Sequence, residues 1–146
     1  MTDRIDDWVN VHYEDFSQTK GEKKQGVIIR FMASPLDVPD MWRHGIVETP
    51  NGEHVAIFEF KYLAFKESSR VLEKEGIRLE IGKNSRRVYR ISIPLPAVTQ
   101  GVNEVQVKLE LAIEEIDAWE KQGALRPSHA DIIQDMLRRP NIQMAF

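Results

Sequence analysis

Cysteine is absent from this chain of 146 residues, and glycine is scarce, with eight residues. The lack of cysteine excludes disulfides, thiolate metal sites and a cysteine nucleophile. Glycine loops that bind phosphates or dinucleotides are missing, as is the strained turn that presents a serine nucleophile. The sequence therefore gives no sign of the enzymes that depend on these devices, and we predict no cofactor and no metal.

Long apolar runs are absent as well. No segment has the length of apolar sequence that a bilayer-spanning helix needs, and the chain starts with acidic residues where a secretory signal would be basic. We therefore expect a cytoplasmic protein without a membrane partner.

What is present is an ordinary globular composition. Hydrophobic residues make up 42% of the chain and charged residues 29%, values that indicate neither disorder nor a membrane protein. No repeat or linker divides the sequence, and a chain of this length can bury about 68 to 70% of its unfolded surface. We predict a single domain over residues 1–146.

Strands are predicted in the first two thirds of the chain. Alternating or short apolar runs indicate a strand at 9–13, a strand at 27–33, and hairpins over 45–65 and 77–93. The polar segment 17–26 is predicted to be a flexible loop, and 67–76 is predicted to form one or two helical turns between the hairpins.

Helices are predicted in the last third. From Val105 to Trp119, apolar residues recur at intervals of three and four, and Asn103 and Gly123 can begin and end this helix. The segment Ser128–Asp131 resembles a capping box and predicts the start of a second helix. This order indicates an α+β fold: an antiparallel sheet of about six strands, arranged as a meander of hairpins, followed by two C-terminal helices packed on one face.

One pattern raises the possibility of catalysis. Pro39-Asp40, followed at a distance by Glu59-x-Lys61, resembles the active site of metal-dependent nucleases of the restriction-endonuclease type. In that chemistry Asp40 and Glu59 would bind magnesium and Lys61 would stabilise charge on phosphate. The helices that flank the nuclease hairpin are not predicted here, so the chain is not assigned to that family.

The turn at 49–53 decides whether these residues can meet, because a slip of one residue exchanges the two faces of a strand. A two-residue Asn51-Gly52 turn would place His44 opposite Glu59 and bring Asp40 to the same face. A type I turn followed by a bulge at Gly52 would instead place Arg43 opposite Glu59 and Asp40 on the other face. Pro50 favours the bulged turn, because it lacks the N–H that the closing pair of the shorter turn requires.

The segment 61–90 carries an excess of positive charge, with nine bases against four acids. Single-stranded nucleic acid could bind there, with Phe58, Phe60 and Tyr62 stacking on bases. The alternative is that these aromatics form the core under the first helix. The candidate binding residues of the hairpin are Lys66, Arg78, Lys83, Arg86, Arg87 and Arg90.

Both faces of residues 55–65 are rich in apolar side chains, although one layer of helices covers only one face. The second face is predicted to lie under the amino-terminal segment, with Trp8 and Phe16, or in a subunit interface. The apolar tail 141–146 could be a docking arm.

From these features we expect a small soluble binding or regulatory protein without catalytic activity. It would act through a protein partner or as a homodimer. One alternative is the nuclease at Asp40, Glu59 and Lys61, and the other is the protein that binds single-stranded nucleic acid.

Overall fold

The structure is a computed structural model that describes residues 4–5, 7–16, 22–24, 27–29, 34–95 and 102–139. It contains nine strands, two long helices, one short helix and one 3-10 turn within these ranges. The strands are β1 (Arg4–Ile5), β2 (Val9–Asn10), β3 (Glu22–Lys24), β4 (Val27–Ile29), β5 (Met41–Glu48), β6 (His54–Lys61), β7 (Ser69–Lys74), β8 (Ile77–Gly82) and β9 (Val88–Pro94). The helices are α1 (Tyr13–Phe16), α2 (Val102–Lys121) and α3 (Pro127–Arg138), and the 3-10 turn spans Pro35–Asp37.

The main sheet confirms the predicted α+β fold with an antiparallel sheet. Its strand order is β1–β5–β6–β9–β8–β7, and β2 also pairs with β5, so that β1 and β2 share one edge. All the pairings are antiparallel. The two C-terminal helices follow the sheet in the chain, as predicted.

The predicted meander is wrong at one point, because β6 pairs with β9 rather than with β7. Residues 62–68 carry the chain from the end of β6 to the far edge of the sheet, and β7, β8 and β9 then return strand by strand to lie beside β6. This is the connectivity of a Greek key. We call residues 62–68 the crossover.

The helical turns predicted for 67–76 are also wrong, because Ser69–Lys74 is the edge strand β7. A two-residue turn joins β7 to β8, and both of its residues have positive φ, Glu75 at 53° and Gly76 at 83°. Two left-handed residues in succession are typical of the type I′ turn, whose twist matches that of a hairpin.

The predicted strand at 9–13 is shorter than expected. It pairs only over β2, and α1 begins at Tyr13. The N–H of Val11 bonds to the carbonyl of Asp40 at 3.0 Å, and Pro39, next along, has no N–H to offer. The partner strand therefore ends there, and β2 ends with it.

The loop predicted at 17–26 and the strand predicted at 27–33 are only partly described. Glu22–Lys24 pairs with Val27–Ile29 as a separate two-stranded ribbon, so the loop prediction is wrong for those three residues. Residues 30–33 and the tail 141–146 lie outside the described residues.

The start of α3 differs from the predicted capping box. Arg126 is the N-cap residue without a side-chain cap, and Pro127 occupies the first turn. Proline suits this position, because its fixed φ is helical and the N–H it lacks would have no partner in the helix. The observed N-cap therefore lies two residues before Ser128, the N-cap that the capping box predicts.

The two faces of the sheet differ in character. On one, which we call the core face, Phe58, Leu79 and Ile91 are fully buried against Ile116 of α2 and Ile133 of α3. We call the other the open face; its middle carries charged side chains of β5, β6, β9 and β8. Among the described residues, no helix is both long and apolar enough to cross a membrane.

Candidate functional site

The register of the β5–β6 hairpin is the one that Pro50 predicts. Arg43 lies opposite Glu59, and Glu48 lies opposite His54. Thr49 and Glu53 close the turn, because the N–H of Thr49 donates to the carbonyl of Glu53 at 2.7 Å. Gly52 has a φ of 81°, the left-handed conformation that the bulge position requires.

This register places Asp40 on the core-face side and Glu59 and Lys61 on the open face. Glu59 accepts a hydrogen bond from Nε of Arg43 at 2.9 Å. Asp40 instead accepts one from the N–H of Leu63 at 2.7 Å, where it holds the start of the crossover. The structure therefore does not bring the two carboxylates together. Within the described ranges, no three His, Asp or Glu side chains are grouped as metal ligands.

The aromatics proposed as a stacking platform are core residues. Phe58 and Phe60 are buried on the core face, and Tyr62 is 7% exposed. The hydroxyl of Tyr62 donates to the carbonyl of Val88 at 2.7 Å. Burial is the main cause that raises the pKa of Tyr62 well above its ordinary value, and the charge of Tyr89 is the next. These rings are therefore closed to a nucleic acid base.

A carboxylate holds the crossover to the turn between β8 and β9. Glu67 accepts hydrogen bonds from the N–H groups of Asn84 and Ser85, each at 2.8 Å, and from the hydroxyl of Tyr89 at 2.9 Å. Desolvation opposes ionisation of Glu67, but the bonds from Ser85, Asn84 and Tyr89 outweigh it and lower its pKa to about 2. The same contact, after burial, raises the pKa of Tyr89 to about 12.

A buried polar cluster lies beneath this turn. Asp37 accepts a hydrogen bond from Arg87 at 2.9 Å and a weaker contact from Arg126 at 3.3 Å. Nδ1 of His129 is 2.7 Å from the carbonyl of Asp37, and its Nε2 is 2.9 Å from the N–H of Val88. Because Nε2 accepts from a backbone N–H, the ring carries its proton on Nδ1.

The environment keeps His129 neutral. Burial is the main cause that lowers its pKa to about 4, and the charges of Arg87 and Arg126 add to it, although the contacts with Asp37 oppose the shift. Both ring nitrogens have partners, so the side chain has no free nitrogen for a substrate or metal. The cluster serves the fold: it ties the 3-10 turn, the β8–β9 turn and α3 together.

The sequence did not identify this cluster. Asp37 stands between two prolines and His129 inside an apolar helix, and neither pattern indicates a partner. The local signal is that a charged or polar residue in an otherwise buried segment needs a hydrogen-bond or ion-pair partner.

The six predicted binding residues do not share a surface. Arg87 is buried against Asp37, and its guanidinium also lies over the ring of Phe65. Arg86, with a φ of 55°, donates to the carbonyl of Gly123 between the two helices. Lys66 and Lys83 are exposed in loops, whereas Arg78 and Arg90 stand on the open face.

The open face carries a row of alternating charge across four adjacent strands. Arg43 of β5 is opposite Glu59 of β6, which is opposite Arg90 of β9, which is opposite Glu80 of β8. Glu59 is engaged by Arg43, and Glu80 accepts from the hydroxyl of Ser69 at 2.7 Å. Arg90 has no hydrogen bond or ion pair with any residue that the structure describes. We call these four residues the charged row.

The two halves of the open face differ in shape. Over β5 and β6, the ring of Trp8 lies 4.5 Å from the guanidinium of Arg43 and 4.1 Å from the ammonium of Lys61. This confirms that the amino-terminal segment packs on this face at Trp8. Over β8 and β9 lies a cleft of about 190 Å³, lined by Val71, Arg78, Glu80, Arg90 and Ser92.

Comparison with family models, with curated proteins and with solved structures found no match to this chain.

Proposed function

We propose that this protein is a binding or regulatory module without catalytic activity, and that it acts by contacting another protein chain through the open face of its sheet. The observation that carries the proposal is the position of Arg90. It stands in a cleft between two acidic residues, Glu59 and Glu80, and the fold gives it no partner among the described residues. A protein surface with both signs of charge and an apolar side chain suits a protein partner.

The apolar part of this surface is Val71, which is 48% exposed on the edge strand β7. Arg78 and Ser92 stand opposite each other beside it. Arginine is enriched in protein interfaces, because its guanidinium can bind carboxylates and carbonyls and also pack against apolar groups. The cleft thus offers a partner both hydrogen-bond donors and apolar contact.

Site-specific photo-crosslinking tests the proposal. A photoreactive amino acid replaces Val71 on the open face or, as a matched control, Val107 on α2, which is 59% exposed. Cross-linking in cells that express the chain is expected from position 71, and Arg90→Glu should abolish it. Products that are equal at both positions, or unchanged by Arg90→Glu, would contradict the proposal.

The nuclease hypothesis is tested separately. Magnesium or manganese is titrated into the protein, and cleavage of a plasmid is compared for the original chain and Glu59→Ala. We expect cleavage equal to the blank for both proteins. Metal-dependent cleavage that Glu59→Ala removes would refute the proposed function and restore Asp40, Glu59 and Lys61 as a catalytic set.

A further inference from the structure

We propose that the partner of the open face is a second copy of this chain, packed face to face about a two-fold axis that runs parallel to the strands between β6 and β9. This inference rests on the proposed function, since it takes the same face as the contact surface. It adds the identity of the partner and the geometry of the contact.

The charged row selects this axis. Its order across the sheet is plus, minus, plus, minus, from Arg43 through Glu59 and Arg90 to Glu80. A two-fold axis between Glu59 and Arg90 reverses the order in the second copy. Each Glu59 then faces the other copy's Arg90, and each Arg43 faces the other copy's Glu80, so that every contact in the row joins opposite charges.

Other axes either bring like charges together or pair fewer of the four residues of the charged row. A two-fold axis in the same plane but perpendicular to the strands, through the row, would place each residue over its own copy. An axis parallel to the strands through Glu59 itself would stack Glu59 on Glu59 and Arg43 on Arg90. Like charges in contact disfavour an interface, and complementary charge chiefly determines orientation and specificity.

The shape of the face agrees with this arrangement. The rotation brings the half that carries Trp8 over the half that carries the cleft. Sheets that pack face to face lie about 10 Å apart, a distance that arginine and glutamate side chains from the two copies can bridge. The apolar contribution comes from Trp8 and from the exposed Val71. Arg90, which lacks a partner within the described part of the chain, acquires one.

A charge-reversal pair tests the proposal directly. Sedimentation equilibrium of the full chain is expected to give twice the mass of one chain. Glu59→Arg alone and Arg90→Glu alone should each raise the dissociation constant about a hundredfold, because each creates two like-charge contacts per dimer. Mixing the two variants should restore the dimer, since all contacts at positions 59 and 90 then join opposite charges.

Control variants reverse charges away from the open face. Glu53→Arg lies in the β5–β6 turn, and Arg70→Glu lies on the core-face side of β7; both residues are exposed. Neither should change the dissociation constant. The restored dimer in the mixture also separates an interface effect from a folding defect, because a misfolded variant is not repaired by mixing.

The absence of cysteine provides a second measurement that does not depend on charge reversal. A short bis-maleimide reagent should link Arg43→Cys to Glu80→Cys in a mixture, because these positions face each other across the axis, but should not link Arg43→Cys to itself, because its two copies lie about three strand spacings apart. A single-chain mass for the original protein at 0.1 mM and above, or a mixture that stays monomeric, would overturn the dimer. Crosslinks from position 71 to a different protein would then leave the proposed function standing.

Discussion

Acidification should destabilise this protein through His129, and the size of the effect follows from its surroundings. The neutral ring is required by the fold, since its Nε2 accepts from the N–H of Val88 and it lies near the guanidinium groups of Arg87 and Arg126. In the unfolded chain a histidine titrates near its ordinary pKa of about 6.5, whereas in the folded protein its pKa is about 4.

The sign follows from proton uptake. Between these two pKa values the unfolded chain binds a proton that the folded protein does not, so the free energy of unfolding falls as the pH falls from about 6.5 to about 4. The loss amounts to about 3 kcal/mol when complete and about 2 kcal/mol at pH 5. A domain of this size is stable by about 5 to 15 kcal/mol, so the loss is large.

The assay compares urea unfolding of the original protein and His129→Gln at several pH values between 7 and 4. Glutamine can still accept from Val88 but does not titrate, so the carboxylates common to both proteins cancel in the difference. The gap between the two free energies of unfolding should narrow by about 3 kcal/mol over this range. Parallel curves would refute the reasoning, as would an NMR titration showing a protonated His129 in the folded protein at pH 6.

Two further perturbations test the contacts that determine the fold. Gly52→Ala should lower the free energy of unfolding by about 1 kcal/mol through its positive φ alone, since nothing lies within 4 Å of the added carbon. Gly82→Ala should lower it more, because the added carbon would displace the Glu67 carboxylate. Thermal unfolding of both variants checks this; an equal loss of stability would mean that Glu67 does not hold the crossover. Arg87→Leu should cost about 3 kcal/mol, since it leaves Asp37 buried with only the partly exposed Arg126, and Asp37→Leu in the same chain should recover most of that loss. If the double variant is as unstable as the single one in urea, the penalty does not come from the unpaired charge.

The parts of the fold that could be predicted are those decided within a few residues. The register of the β5–β6 hairpin depends on Pro50, which lacks an N–H, and on Gly52, which accepts a positive φ. The helix α2 follows from apolar residues at intervals of three and four. In both cases the residues that determine the structure are neighbours in the sequence.

The edge strand β7 could not be predicted in the same way. Leu72, Glu73 and Lys74 are good helix formers, so local propensity favours a helix there. The segment is a strand because β8 offers it an edge to pair with and because the Glu75–Gly76 turn brings the two strands together. Pairing of β6 with β9 is likewise decided by the whole sheet, since 62–68 is long enough to cross two strands.

The buried polar cluster shows why composition misassigned Arg87. Its contact with Asp37 spans 50 positions of the chain, and that of His129 with Asp37 spans 92. The sequence shows how many bases the segment 61–90 carries but not which of them the fold will use. Charge counting therefore groups Arg87 with exposed residues, although the fold buries it in the interior.

Residues that maintain the fold can be distinguished from residues available for binding by whether the fold gives their side chains a buried partner. Replacing Arg87, His129 or Asp37 removes a buried contact and must lower stability. Arg90 is exposed and has no partner among the residues described, so the fold does not account for a guanidinium at that position. Substitution of an interface residue should alter association and leave the melting temperature unchanged. Such residues should be found on the open face.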